Sequence, residues 1–342
     1  MNCYKTAWQK YAEFLKLEHG LFVLKYLYFC TIKTNTSTMG KKIVSTLLTC
    51  LFIIPSTFSQ AYISYHRLIV QAEEFIVEED YHNALNSYLC AISSVEYAFT
   101  KDVYNAAICA AIEDDTTIMF ALMEKCLKQG VDFSMFEINR TVFSRFHLTQ
   151  QWNALKNERE NYKKVYQNHV VLPYKKTLDS LDILDQKARS RNMYWLLHKP
   201  HSRKAQRQRE LINNTDSLIY ETIKRLINQY GYPSEKNIGI GKSLCYYGHT
   251  CIWHITDSAF LEIQKEAFLN GEISVERYVA KMEYSKKDCY HYLYLWKKES
   301  EAEDYNEKRA AIGFPQSVFF AKLQQYYKKT RNINGFMFLY YN

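Results

Sequence analysis

Glycine and proline are scarce in this chain, which has 10 glycines and 5 prolines in 342 residues. Average usage is about 7% for glycine and about 5% for proline, so both counts are low. This scarcity excludes collagen-like chains and argues against disordered and turn-rich all-β classes, and the hydrophobic content of 47% agrees. We therefore expect an all-α protein, long enough for two domains of about 100 to 200 residues.

A strong positive charge is also missing once the first 59 residues are set aside. The whole chain carries 44 basic and 36 acidic residues, a formal charge of +8. Residues 1–59 hold seven lysines and two glutamates, which leaves 37 basic and 34 acidic residues, or +3, in the remainder. A charge this close to balance predicts no nucleic-acid partner.

The N-terminal region has the parts of a secretory signal peptide. A basic start at Met39 is followed by an apolar run, residues 43–54, and by small residues before a cleavage site after Ser59 or Gln60. The run of about a dozen residues is shorter than the roughly 20 that a membrane-spanning helix needs, so we expect no stable span after cleavage. A membrane anchor and a lipid attached at Cys50 are the alternatives.

The signal-peptide pattern predicts how the N-terminal region is divided and where the protein is located. We expect residues 1–38 to be an upstream extension ahead of the true translation start and 39–60 to be the signal peptide; a second membrane-active segment over the apolar residues 20–30 is the alternative. We predict an exported protein that is periplasmic, bound to the cell envelope or secreted. Six cysteines follow the leader without a disulfide framework, and we expect them to be buried free thiols. They are Cys90, Cys109, Cys126, Cys245, Cys251 and Cys289.

Residues 61–165 are predicted to form helical hairpins. Tyr81, Ala84, Tyr88 and Ala91 recur at the spacing of a tetratricopeptide-like hairpin, in which alanines admit a neighbouring helix and tyrosines fill the groove beside them. Only one repeat has this pattern, whereas stacked repeats need about three units. A binding solenoid and ordinary helices packed on the next domain therefore stay open as alternatives.

Residues 166–342 contain several short motifs on predicted helices. In chain order they are Asp185-Gln-x-x-Arg189, Asp216, the Gly231-Tyr232-Pro233 turn, Gly239, His254, Asp257, and the segment from Asn306 through Arg309 to Gly313. Their order and spacing resemble a bacterial family of uncharacterised proteins, the domain of unknown function numbered 6624, over about residues 170–330. The resemblance implies a related fold, here a helical domain, and carries no activity.

One segment departs from that family. Residues 288–293 read Asp-Cys-Tyr-His-Tyr-Leu, where the family tends to have Gln before Tyr-Gly-Thr-Gln. We also expect one small aromatic β pair, formed by 290–296 and 336–341.

Three further patterns predict neither a cofactor nor a metal. Gly241-Lys242-Ser243 ends like a phosphate-binding loop, but the first glycine and the preceding strand are missing. The segment 199–209 has four further basic residues after Lys199 and no acid, which fits either phosphate contacts or a solvated loop. The third pattern is a set of metal-ligand types that point to opposite sides of one helix: Cys245 and His249 on one, Cys251 and His254 on the other.

Five polar residues remain as the candidate site: Asp185, Arg189, Asp216, His254 and Asp257. We predict a buried helix over 244–261 that is apolar nearly all round, so its histidine and aspartate need polar partners from other helices. Arg189 is the natural counter-charge, because it lies one turn after Asp185. The five side chains are therefore expected to converge.

Two functions follow from these alternatives. The first is a module that binds a protein or peptide, with the five residues as a structural polar staple. The second is a metal-independent enzyme, with hydrolysis as the expected reaction, in which Asp257, Asp185 and Arg189 support His254 as a general base.

Overall fold

The computed structural model describes residues 61–190, 193–240, 250–286, 288 and 305–338. Within these ranges every regular element is a helix, so the all-α prediction is confirmed. The predicted β pair lies outside the described residues except for 336–338, which are not helical. Residues 1–60, which include the predicted signal peptide, also lie outside them. Residues 58–342 form one compact unit that contains both hydrophobic cores.

The first part of the chain is a series of short antiparallel helices. Helix α1 covers 61–77, and Asp80 and Asp115 cap the N-termini of α2 and α4 by accepting hydrogen bonds from backbone N–H groups. The remaining helices are α2 (Tyr81–Ser94), α3 (Thr100–Ile112), α4 (Thr116–Lys128), α5 (Ser134–Ile138), α6 (Arg140–Phe143), α7 (Gln150–Asn157) and α8 (Arg159–His169). A 3₁₀ turn, Ser144–Phe146, joins α6 to α7.

The second part contains two long helices and several short ones. They are α9 (Leu172–Ser190), α10 (Met193–His198), α11 (Arg203–Tyr230), α12 (Glu235–Ile238), α13 (Thr250–His254), α14 (Ser258–Leu269), α15 (Val275–Tyr284), α16 (Asn306–Ala311) and α17 (Ser317–Thr330). Helix α11 ends where the sequence predicts, because Gly231 adopts a φ of 80° as its C-cap. No helix in the described ranges combines the length and apolar content needed to cross a membrane.

The larger core surrounds α3. Residues 100–111 are all buried, and alanines on this helix let neighbouring helices approach closely. Asn105 binds the end of the chain, accepting from Met337 N and donating to Met337 O, each at 2.9 Å. The same core includes Phe319 and Leu323 of α17, so the N-terminal hairpins share one core with the C-terminal helices. The division at residue 165 and the tetratricopeptide-like detail stay predictions.

The smaller core lies between α9, α11 and α13. It includes Leu178 of α9, Ile223 of α11, Ile252 of α13 and Phe260 of α14. The two long helices pack along their lengths as a hairpin, which brings the polar residues of one beside those of the other.

The prediction of one continuous helix over 244–261 is wrong. Residues 241–249 lie outside the described ranges, α13 ends at His254, and 255–257 are not helical. A new helix, α14, begins at Ser258 with Asp257 as its N-cap. From Thr250 onward, the apolar run therefore belongs to two helices separated by residues 255–257.

Free thiols are found at four positions in the described ranges. Cys109, Cys126 and Cys251 are buried, as predicted. Cys90 is exposed, because it lies on the outer side of α2, so the prediction of burial is wrong for this residue.

Candidate functional site

The candidate site is the polar cluster, by which we mean Asp185, Arg189, Asp216 and His254. Arg189 bridges the two long helices: its Nε donates to Asp185 Oδ1 at 2.8 Å, and its Nη2 donates to Asp216 Oδ1 at 2.6 Å. His254 Nδ1 lies 3.1 Å from the same Asp185 Oδ1. Four of the five predicted residues therefore converge from α9, α11 and α13.

The local sequence explains this arrangement. Asp185 and Arg189 are four residues apart on α9, so their side chains lie on one face. Asp216 lies on the face of α11 that meets α9, and packing of the smaller core fixes the separation of these helices. Asp182 accepts a hydrogen bond from Cys251 N at 2.9 Å, which anchors the start of α13 and positions His254 one turn later.

The cluster has a buried end and an open end. The exposed fraction of the side chain is 1% for Asp185, 22% for Arg189, 23% for His254 and 38% for Asp216. The carboxylate that orients the histidine is thus shielded from water, while the histidine ring reaches solvent. Among the described residues, Asp185 is the hydrogen-bond partner of His254. This contact is made by Nδ1, so it does not occupy the second ring nitrogen, Nε2.

Asp257 does not join the cluster, so this part of the prediction is wrong. Its Oδ1 accepts hydrogen bonds from Ala259 N at 3.0 Å and Phe260 N at 3.2 Å, and from the hydroxyl of Tyr220 at 3.3 Å. These are the contacts of an N-cap residue. Because the side chain is exposed and its acceptor atom serves the α14 N-terminus, Asp257 has a structural role.

Two further residues contact the site: Asp182, which the sequence analysis missed, and Gln186, which it named only as part of a motif. Asp182 anchors α13, as described above, and Gln186 Nε2 donates to Asp185 Oδ2 at 2.9 Å. Asp182 precedes Asp185 by one turn, and this spacing was the available signal. Burial raises the pKa of the Cys251 thiol well above its usual range, and Asp182 and Asp185 add to that effect. The thiol is therefore not an activated nucleophile.

A second group of charged side chains lies in the larger core. Lys101 Nζ lies 2.7 Å from Glu73 Oε1 and 3.0 Å from Asp102 Oδ1, and all three residues are buried. Burial raises the pKa of Glu73 to about 7, and the Lys101 charge opposes this. The hydroxyl of Tyr65 also donates to Asp102. Because these charged side chains are almost completely shielded from water, we interpret the group as a structural network.

Two surface clefts are formed by other residues. One, of about 410 Å³, is lined by side chains that include Tyr62, Tyr97, Lys236 and Glu272. The other, of about 380 Å³, lies beside α8 and includes Tyr166. Neither cleft contains a residue of the polar cluster.

Of the four residues of metal-ligand type singled out in the sequence, two lie in the described ranges. Cys245 and His249 lie outside the described residues, and Cys251 and His254 contact Asp182 and Asp185, respectively. Among the residues that the structure describes, no three side chains of the metal-binding types are grouped to hold an ion.

Comparisons of the chain with protein-family models, with curated proteins and with solved structures give no match. The resemblance to the uncharacterised family stays a prediction.

Proposed function

We propose that the polar cluster is a catalytic site in which His254 acts as a general base, and that the reaction is a hydrolysis. The observation that supports this most is the contact of His254 Nδ1 with Asp185 Oδ1 at 3.1 Å, on a ring that is 23% exposed. A buried carboxylate bonded to one ring nitrogen fixes the orientation of the imidazole, which is the arrangement that a general-base histidine needs.

The chemistry needs only water and the ring. As the water oxygen attacks an electrophilic carbon or phosphorus atom, one water proton moves to His254 Nε2. The imidazolium is stabilised by Asp185, and it returns the proton to the leaving group. Arg189 and Asp216 lie at the open end, where they would contact polar groups of a substrate. Water is the favoured nucleophile because the thiol of Cys251 is buried and stays protonated.

The hairpins give less support to a protein- or peptide-binding module. A solenoid binds ligands on the concave face of its helices. Here α3 is buried along residues 100–111, and its Asn105 binds the backbone of Met337. The chain's own C-terminal segment thus packs against α3. Recognition of a protein or peptide stays a prediction.

One substitution distinguishes a catalytic role of His254 as a general base from a purely structural role. In His254→Asn, the amide nitrogen takes the place of Nδ1 and keeps a donor to Asp185, while Nε2 is lost. We expect wild-type protein to hydrolyse at least one class in a panel of carboxylic esters, peptides and phosphate esters. The variant should lose about 100-fold or more of that rate, since a general base contributes about 10²- to 10⁴-fold.

Stability provides the control for this experiment. Because the hydrogen bond to Asp185 is kept, the free energy of unfolding of His254→Asn should lie within about 1 kcal/mol of wild type. Equal rates for variant and wild type would contradict the proposal, and so would a wild-type rate that matches buffer for every substrate class.

We also propose that the chain is exported, on the basis of the signal-peptide pattern in residues 39–60. N-terminal sequencing of the protein from its native host should give Gln60 or Ala61 as the first residue. An intact residue 1 in a cytoplasmic fraction would contradict export.

A further inference from the structure

The α9–α11 hairpin extends beyond the smaller core. The apolar core positions end at Leu181 in α9 and Ile219 in α11, where the polar cluster begins. In α11 the first 12 residues, Arg203 to Asn214, contain only two buried side chains, Ala205 and Gln208. At 1.5 Å per residue, this projecting part of α11 is about 18 Å long. We call residues 187–209 the hairpin tip.

The hairpin tip concentrates positive charge. It contains eight basic residues and no aspartate or glutamate: Lys187, Arg189, Arg191, Lys199, Arg203, Lys204, Arg207 and Arg209. The other residues of 60–342 carry 29 basic and 34 acidic side chains, because 37 minus eight is 29. The near-neutral charge of residues 60–342 is therefore the sum of a basic segment, residues 187–209, and a remainder that is net negative.

The same tip exposes large apolar side chains. Residues 193–197, in α10, read Met-Tyr-Trp-Leu-Leu. The Tyr194 side chain is 58% exposed and that of Leu197 is 68% exposed. Leu211, just after the tip in α11, is 40% exposed. A merely solvated loop gains nothing from such side chains, since each exposed apolar surface is unfavourable in water.

Basic residues on both sides of an aromatic and aliphatic centre are typical of segments that lie in a membrane interface. In that environment lysine and arginine contact lipid phosphates, tyrosine and tryptophan lie at the level of the headgroups, and leucine enters the acyl region. A nucleic-acid backbone matches the charge but offers no apolar phase for Leu197.

We propose that the hairpin tip binds the surface of an anionic phospholipid bilayer. Lys199, Arg203, Lys204, Arg207 and Arg209 are all exposed and follow Leu197 directly in the chain. Arg189 lies at the base of the tip and holds the two long helices together through Asp185 and Asp216. The hairpin tip thus combines basic and apolar side chains, and the ion pairs of Arg189 hold together the two helices that carry it.

The experiment measures vesicle binding by residues 58–342, the compact unit that contains both cores. Vesicles of phosphatidylcholine are compared with vesicles that contain about one-third phosphatidylglycerol. We expect binding to the anionic vesicles to be at least about tenfold tighter, and to weaken as salt is added.

Two variants test the location of the surface. Arg203→Gln/Lys204→Gln/Arg207→Gln should weaken binding about 100-fold, at about fivefold for each basic residue removed. The matched control is Lys163→Gln/Lys164→Gln/Lys176→Gln, which removes the same charge from exposed positions on α8 and α9 and should change binding less than about twofold. Tyr194→Ser/Leu197→Ser should also weaken binding, by loss of apolar insertion.

Three results would overturn the proposal. The first is that the anionic vesicles bind no better than the neutral ones. The second is that the control variant loses as much binding as the tip variant. The third is that the tip binds a single-stranded oligonucleotide and leaves anionic vesicles unbound, which would make it a nucleic-acid surface.

Discussion

Replacing Arg189 by methionine tests how closed the polar cluster is. Methionine keeps much of the length of the side chain but removes both ion pairs, at 2.8 Å to Asp185 and at 2.6 Å to Asp216. Asp216 is 38% exposed and can be solvated, so its pair contributes little. Asp185 is 1% exposed, so the main effect is the loss of a partner from a buried carboxylate.

The size of the loss in free energy of unfolding depends on the contacts that Asp185 keeps in the variant. Removing one partner of a fully buried pair is destabilising by about 3–5 kcal/mol. Asp185 keeps Gln186 Nε2 at 2.9 Å and His254 Nδ1 at 3.1 Å, and Arg189 itself is 22% exposed. We therefore expect Arg189→Met to lower the free energy of unfolding by about 2–3 kcal/mol.

Urea unfolding monitored by far-ultraviolet circular dichroism gives the measurement. A double-mutant cycle with Asp185→Asn should show that Arg189→Met changes stability by less than about 1 kcal/mol once the carboxylate is absent. Asp216→Asn is the control and should change stability by less than about 1 kcal/mol. A change below about 0.5 kcal/mol for Arg189→Met, or full additivity in the cycle, would refute the reasoning.

Three further predictions concern the cores. Lys101→Met leaves Glu73 and Asp102 without their buried counter-charge and should lower the free energy of unfolding by about 3–5 kcal/mol in urea titrations; an unchanged midpoint would contradict this. Burial raises the pKa of Glu235 to about 7, so the native state holds a proton that the unfolded state loses above about pH 4.5. Stability should therefore fall as pH rises from about 5 to about 7, and Glu235→Gln should show a smaller fall, whereas equal slopes would contradict the assignment. Gly313→Ala should lower the melting temperature, because φ is +72° and the added Cβ would lie 2.9 Å from the Ile63 carbonyl oxygen; an unchanged melting temperature would argue against that packing.

The convergence of three members of the polar cluster could be predicted because each of them carries a local signal. Asp185 and Arg189 share a helix face, and His254 is a polar residue in an apolar stretch that needs a partner. Asp257 was misplaced because an apolar run of 244–261 hides a helix break. The sequence Asp257-Ser258-Ala259 does carry an N-cap signal, since aspartate before a helix accepts from its first N–H groups.

The buried ionic network could not be predicted from local spacing. Glu73 lies on α1 and Lys101 on α3, 28 residues apart, and they meet only because α1 packs beside α3 in the larger core. The same holds for Asn105 and Met337, which are 232 residues apart. Pairing of this kind depends on tertiary packing. Helical periodicity predicts which residues share a face of one helix, but it does not predict which helices meet.

A general-base role requires that His254 present an accessible ring nitrogen to solvent, and carbethoxylation with diethyl pyrocarbonate tests this most directly. The reagent modifies accessible, uncharged imidazole nitrogens, and peptide mass spectrometry gives the rate at each histidine. His66 is the internal control, because it is 3% exposed between the rings of Phe99 and Phe268. We expect His254 to react in the native protein while His66 stays unmodified. A His254 that reacts only after unfolding, at the rate of His66, would contradict this expectation.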